Sequence, residues 1–378
     1  MRILHIINGL DIGGAQTVLI GLLRHWKDDM DQHMVLSLMP RAEMAEQVEA
    51  LDIPIKYVDL CPPRVELSKL LKIRRIVRSF HPDVIQTWLY HANLIGGVGS
   101  RLAVRAPIVW GIHHSLTTRE SMKPSTWLVV RWLARLSAFI PSQTIYCSRS
   151  ALQTHLESGF SRKKTTVIAN GVDPDVFRPD PSAHAAVCHE LGLPEGVKLI
   201  GMFARYHPMK DHSTLLEAAG FLIRRLPDVH FVLAGQGVDP SNTRLQARML
   251  VAGVQDNVHL LGIRRDMPRL SAAMSLVTLS SFEGEALPVS LCEAMSCGVP
   301  CVATRVGDAA ALIGDAGIVV EPRNPQQLAD AWYRVLAWPE SEYLQLSAKA
   351  RERGVEDYNL SKTIDAYRQV YAALAVSR

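Results

Sequence analysis

Short apolar runs alternate along the chain with longer stretches whose apolar residues return every three or four positions. Residues 2–7 (R-I-L-H-I-I), 34–39, 55–60, 84–88, 108–112 and 144–147 read as strands. Residues 15–24 read as an amphipathic helix behind the first of them. The second half repeats the rhythm, with strands at 198–204, 229–234, 258–262, 276–279 and 301–304. Helices are expected from about His212, over 267–274, after Pro288, and over about 361–376. Such βα alternation predicts α/β architecture, with parallel sheets covered by helices on both faces.

A chain of 378 residues is long enough for two domains, each with its own core. The stretch N-G-V-D-P-D-V-F-R-P-D-P, with Pro174, Pro179 and Pro181, reads as the connection and puts the boundary near residue 180. The expected domains are therefore 1–180 and 181–358.

Composition narrows the classes. The chain is 48% hydrophobic and 21% charged, as ordinary globular domains are, and its net charge of +4 is mild. That charge suits an anionic substrate or a contact with anionic lipid, and falls short of a nucleic-acid footprint. The apolar run at the N-terminus is a first strand rather than a signal-peptide core. No stretch reaches the roughly 18 apolar residues of a spanning helix, and the best candidate, 127–140, is interrupted by Arg131 and Arg135. Six Cys without a C-x-x-C pair read as small buried residues in a reducing compartment. Neither a cofactor nor a metal is expected, and the expected location is cytoplasmic.

The chemistry concentrates at residues 280–308, S-S-F-E-G-E-A-L-P-V-S-L-C-E-A-M-S-C-G-V-P-C-V-A-T-R-V-G-D. This reads as strand end, loop, helix and next strand, with Pro288 in the first helical turn and Gly298 and Pro300 ending the helix. Glu285 falls in the loop and Glu293 inside the helix. In open α/β sheets the ligand crevice lies beyond the carboxyl ends of the strands, where helix N-termini point. Free backbone N–H groups near Val289 and Ser290 favour a phosphate, while a carboxylate accepts from paired sugar or ribose hydroxyls. The alternative is one loop Glu and one solvated helix Glu, and spacing alone leaves both open.

The run from Glu285 to Glu293, with the flanking Leu-Pro, E-A-M, C-G-V-P and V-A-T segments, resembles the signature of retaining glycosyltransferases of family 4. The resemblance implies the GT-B fold: two Rossmann-like doubly wound domains facing an interdomain cleft, with a C-terminal crossover helix (about 359–378) returning to the first domain. It implies donor-sugar contacts for Glu285, ribose contacts for Glu293, and diphosphate contacts for the amides of Leu287, Pro288 and Val289 as a segment. Glu283 competes for the first role but lies outside the Leu-Pro register. R-Y-H-P-M-K matches the family's Arg-x4-Lys diphosphate clamp, which assigns Arg205 and Lys210. Gly235, in a G-Q-G turn after a strand, resembles the nucleotide-side glycine.

The remaining candidates lie in the first half. Gly13 and Gly14 alone mark a tight βα turn; beside the main motif they resemble the family's G-G-A loop, with Gln16 where the family often has Glu. His113, at the end of the fifth strand, reads as a histidine satisfied by backbone or as a sugar-hydroxyl partner. Its position matches the family's His. Residues 67–80 form a basic amphipathic helix, with Leu67, Leu70, Ile73, Val77 and Phe80 in one stripe. That helix and the segment from Trp127 read as surface helices or as membrane-surface contacts.

The resemblance thus implies an enzyme, a retaining hexosyltransferase-like glycosyltransferase. It would move a sugar from a nucleotide-diphosphate donor to a hydroxyl of a sugar or lipid-linked sugar, in surface polysaccharide or glycolipid assembly. A peripheral contact with the inner face of the cell membrane is a further expectation. The rivals are a non-catalytic sugar-nucleotide-binding protein, a GT-B sugar-nucleotide epimerase or a phosphorylase; an NAD-dependent oxidoreductase lacks its glycine fingerprint.

Overall fold

The computed structural model describes residues 1–27, 31–60, 67–116, 119 and 122–376. Cys61 and the last two residues of the expected crossover helix lie outside the described residues. The chain divides into two compact units: Met1–Asn170 with Ser361–Arg378, and Gly171–Leu360.

Among the described residues, the first unit is built on a parallel sheet of seven strands: β1 (Arg2–Ile7), β2 (Gln32–Ser37), β3 (Ile55–Tyr57), β4 (Val84–Trp88), β5 (Ile108–Ile112), β6 (Gln143–Tyr146) and β7 (Thr165–Val167). Their spatial order is β3-β2-β1-β4-β5-β6-β7. β4 and β5 are buried at every position; β5 reads as an apolar run rather than an alternating one, while β4 buries Gln86 and Thr87 within the sheet. The outer strands are shorter than the runs that predicted them: 55–60 narrows to Ile55–Tyr57, because an edge strand has a partner on one side only.

The helix Leu360–Val376 belongs to this unit. Its Tyr367 stacks on Trp88 at 5.7 Å between ring centroids, and its Tyr371 hydroxyl donates to Gln86 Oε1 at 3.0 Å.

The second unit carries six parallel strands: β8 (Lys198–Phe203), β9 (Val229–Ala234), β10 (Val258–Leu260), β11 (Leu276–Leu279), β12 (Cys301–Thr304) and β13 (Gly317–Val320). Their order is β10-β9-β8-β11-β12-β13. Both units are thus doubly wound Rossmann-like domains, as the βα alternation predicts. Each sheet reverses its winding once, between β1 and β4 in the first unit and between β8 and β11 in the second. Loops leaving the strands at such a reversal diverge and open a crevice.

The N-G-V-D-P segment sits with the second unit, so the division falls at 170/171 rather than near 180. Val172 forms a parallel bridge with Asn359. Arg351, on the helix Glu340–Glu356, donates to the Pro174 and Phe177 carbonyls at 3.2 and 2.9 Å. These bonds give the proline-rich stretch fixed partners, which its composition does not reveal.

Candidate active site

At the reversal of the second sheet, two loops are laced together. The loop after β8 runs through Arg205 to a 3-10 turn, Pro208–Lys210, whose entry is capped by His207 Nδ1 accepting from the Met209 N–H at 3.3 Å. Asp211 then takes a left-handed φ of 47°, which an aspartate tolerates, and caps the helix His212–Ile223 through Thr214. The loop after β11 grips this turn. Ser280 Oγ donates to the carbonyls of Lys210 and Asp211 at 2.9 and 3.0 Å, and the Phe282 N–H donates to the Met209 carbonyl at 3.0 Å.

The lacing puts Lys210 on Glu285. The ammonium donates to Glu285 Oε1, which also accepts from Ser281 Oγ at 2.6 Å. Glu285 is buried, at 7% exposure, whereas Glu283 is only half-buried. Arg205 is exposed on the same loop as Lys210.

Beyond Glu285 the chain turns into the helix Val289–Ser296. Pro288 stands one residue outside this helix, as its N-cap, correcting the expectation of a first-turn proline: its ψ of 100° is extended. Glu293 is half-buried in the helix, and burial pushes its carboxyl up to about 8. At neutral pH it therefore holds a proton and can donate as well as accept.

Two glycines make this geometry possible. At Gly235 a Cβ would stand 2.3 Å from the Ala204 carbonyl oxygen, so the turn after β9 presses directly on the exit of β8. At Gly307, where φ is 58°, a Cβ would stand 2.2 Å from the Glu285 carbonyl oxygen. The Asp308 N–H donates to the Ala286 carbonyl at 2.9 Å. Residues 307–308 thus back the loop that carries Glu285. Ser281, Ser280 and Gly307 were not singled out from the sequence, although all three lie inside the 280–308 stretch. Their roles depend on bonds to other loops.

The first unit holds the remaining candidates. Gly13 caps the helix Gly14–His25, and Gln16 Nε2 donates back to the Gly9 carbonyl at 3.1 Å, bracing the glycine loop at the end of β1. His113 follows β5 and stacks on Trp88 at 5.1 Å. Burial, with His114 nearby, lowers its pKa to about 3. Asn170 opposes the shift, and among the described residues no backbone group hydrogen-bonds to either ring nitrogen. The backbone-satisfied reading of His113 therefore fails, and a neutral imidazole remains. His114 is exposed.

Among the described residues, no group of three or more His, Cys, Asp or Glu is arranged to hold a metal ion. Cys147, Cys188, Cys292, Cys297 and Cys301 are all buried, and among the described residues none is joined in a disulfide.

Comparison with known proteins decides the family. Residues 12–176 match Glycosyltransferase Family 4, and residues 197–337 match Glycosyl transferases group 1. The chain belongs to the family 4 glycosyltransferases.

Similar proteins include an Escherichia coli UDP-Gal:alpha-D-GlcNAc-diphosphoundecaprenol alpha-1,3-galactosyltransferase, 24% identical over 83% of this chain and 81% of the relative. N-acetyl-alpha-D-glucosaminyl L-malate synthase of Bacillus anthracis is 28% identical over 82% and 79%. Among solved structures, Anabaena HepE in complex with UDP and glucose aligns over 99% of this chain and 100% of its own, with a TM-score of 0.86 and 24% identity. At that identity the likeness shows the shared fold, the GT-B type. This glycosyltransferase carries two Rossmann-like units, and in the second the loops after β8 and β11 meet at Lys210 and Glu285.

Proposed function

We propose that this glycosyltransferase is a retaining enzyme that takes its sugar from a nucleotide-diphosphate donor. The observation that carries the reading is the contact of Lys210 with Glu285 at the sheet reversal, next to the N-terminus of the helix Val289–Ser296.

Charge supplies the mechanism. Breaking the anomeric bond moves negative charge onto the departing phosphate. Lys210, Arg205 and the amides at the helix N-terminus, in the Leu287–Val289 segment, are cationic or partly positive groups suited to stabilise it. The sugar ring gains positive charge as the bond breaks. Glu285 orients the sugar hydroxyls and offsets part of that charge, and Glu293 binds the ribose. Gly235 leaves room for the nucleotide-side turn. By resemblance, His113 acts on the sugar, and Gly13 and Gly14 approach the donor phosphate. The acceptor hydroxyl attacks from the leaving-group side, so configuration is kept, and the leaving phosphate takes the proton.

The UDP in HepE and the UDP-sugar in the name of the E. coli relative support a UDP-sugar as donor. The diphosphoundecaprenol in that name supports a lipid-linked acceptor in surface polysaccharide or glycolipid assembly. The location proposed is cytoplasmic, with a peripheral contact on anionic membrane. Among the described residues no helix is long and apolar enough to cross a membrane. The candidate surface lies on the first unit. Leu67 and Leu71 are exposed on the helix Leu67–Phe80, whose stripe is fully buried only at Ile73, Val77 and Phe80. Leu128 and Trp132 are exposed on the helix Pro124–Leu136, with Arg135 over the Trp132 ring.

The test is proton NMR of the sugar released from α-linked UDP-, GDP- and ADP-hexoses, with water or a membrane-lipid extract as acceptor. The α-anomer should appear first from one of them. First release of the β-anomer would mean inversion, and turnover of none would overturn the proposal.

A further inference from the structure

The second unit carries a cavity of about 970 Å³ that the proposed transfer site does not use. It lies between the helices His212–Ile223 and Thr243–Ala252, beside Tyr206 and His207. The two helices approach closely where a Cβ on Gly220 would stand 2.9 Å from the Ala252 carbonyl oxygen. The cavity is an open groove rather than an enclosed site, since Glu217, Arg244, Ala247, Arg248 and Val251 in its lining are exposed, and its volume lies within the roughly 300–1,000 Å³ of small-molecule sites. None of Arg205, Lys210, Glu285 and Glu293 lines it.

His212 gives the cavity its chemistry. The side chain is 3% exposed and lines the space, and among the described residues neither ring nitrogen has a hydrogen-bond partner. A buried polar group without a partner is costly and calls for an explanation. Burial and the nearby Lys210 lower its pKa to about 4, so the ring is neutral and offers one N–H.

Across from it, Arg244 and Arg248 stand four residues apart on one helix and share a face. Arg248 reaches Ser213 Oγ, next to His212. Arg244 has no ion-pair partner among the described residues. Of the two carboxylates in the lining, Asp211 is engaged by the N–H and hydroxyl of Thr214. Glu217 sits five residues beyond His212, more than a helical turn away. Positive donors therefore gather at the His212 end. Tyr206, whose ring lies 5.2 Å from that of His212, and Leu216 supply apolar surface.

We propose that this cavity binds a phosphorylated small molecule with a planar, apolar body, its phosphate held by Arg244, Arg248 and the His212 N–H. Guanidinium groups suit a phosphate better than a point charge does, because their N–H fork matches two of its oxygens. The bound body rests against Tyr206 and His207, which stand between Arg205 and Lys210 in the chain. Occupancy is thereby linked to the affinity of the loop for a diphosphate, and the linkage is reciprocal.

Phenyl phosphate is the probe, titrated calorimetrically into the full chain with and without saturating UDP. The proposal expects binding in both conditions, and binding at least ~10-fold weaker in R244A/R248A, which loses two charge-assisted contacts. UDP titrated into the same variant reports whether its fold is intact, since neither arginine belongs to the proposed donor site. Absence of phenyl phosphate binding to the wild type overturns the proposal. So does simple competition by UDP, which would place the probe at the nucleotide site, and so does unchanged binding in R244A/R248A. If UDP fails to bind the wild type, the donor reading falls while the phenyl phosphate titration still decides the cavity.

Discussion

Lys210 and Glu285 form an ion pair at the sheet reversal of the second unit, and Ser281 shares the same carboxylate oxygen at 2.6 Å. The two groups proposed to handle the phosphate and the sugar thus neutralise each other. A donor diphosphate competes with Glu285 for the ammonium, and sugar hydroxyls compete with Lys210 for the carboxylate.

Removing the ammonium tests both halves of this relationship. Lys210→Ala should lower turnover by about 10²–10³-fold, in line with loss of one preorganised charge-stabilising donor. Because the partners touch, Lys210→Ala and Glu285→Gln should not add: the double variant should lose less than the product of the single losses. Steady-state kinetics of the four proteins measure this. Near-normal turnover in Lys210→Ala would refute the clamp.

Glu293 predicts a pH dependence of stability. Its carboxyl is raised by burial to about 8, whereas an unfolded glutamate titrates near ~4.3. Between these values the folded state holds the proton and the unfolded state has lost it, so stability falls as pH rises through that window. The penalty is absent below the unfolded pKa and complete above the folded one. Melting curves from pH 5 to 9 should show the wild type losing stability relative to Glu293→Gln. Parallel curves would contradict the raised carboxyl.

Gly307 should matter although its side chain is a hydrogen. Gly307→Ala would place a methyl carbon 2.2 Å from the Glu285 carbonyl oxygen at a φ of 58°. The left-handed backbone alone costs about 1–2 kcal/mol, and the clash must move the Glu285 loop. Turnover should fall by up to about 10²-fold, the scale of a ~1 Å misplacement. Kinetics together with the melting temperature check this; a stability loss with turnover intact would show that Gly307 does not position Glu285.

The membrane contact has a direct assay. Vesicles containing anionic lipid should carry the protein upward in a density gradient at low salt, and Leu128→Glu/Trp132→Glu should stay at the bottom. No flotation of the wild type at low salt removes the contact. Equal flotation of the variant moves it away from the helix Pro124–Leu136.

Much of this was legible before any coordinates. The parallel sheets followed from buried runs such as Val84–Trp88 and Ile108–Ile112, which admit no solvent face. Glu285 could be singled out because it follows a strand, where open sheets place their ligands, and Lys210 because R-Y-H-P-M-K resembles the family's diphosphate clamp. What escaped was whatever depends on a distant partner. Ser281 acts through an oxygen four residues on, and Gly307 through a backbone approach whose distance no local pattern encodes. The segment from Gly171 looked like a free connection because its composition shows prolines but not the carbonyls that Arg351 holds. His212 reads as an ordinary first residue of a helix, and only burial with unpartnered nitrogens sets it apart.

The most direct measurement is nucleotide binding by the wild type and Lys210→Ala, read as the shift in melting temperature with UDP, GDP and ADP. Binding to the folded state raises that temperature, and at one ligand concentration tighter binding raises it further. One nucleotide should stabilise the wild type, and Lys210→Ala should lose most of the shift. An equal shift in both proteins, or none with any of the three, would contradict the placement of a diphosphate at Lys210.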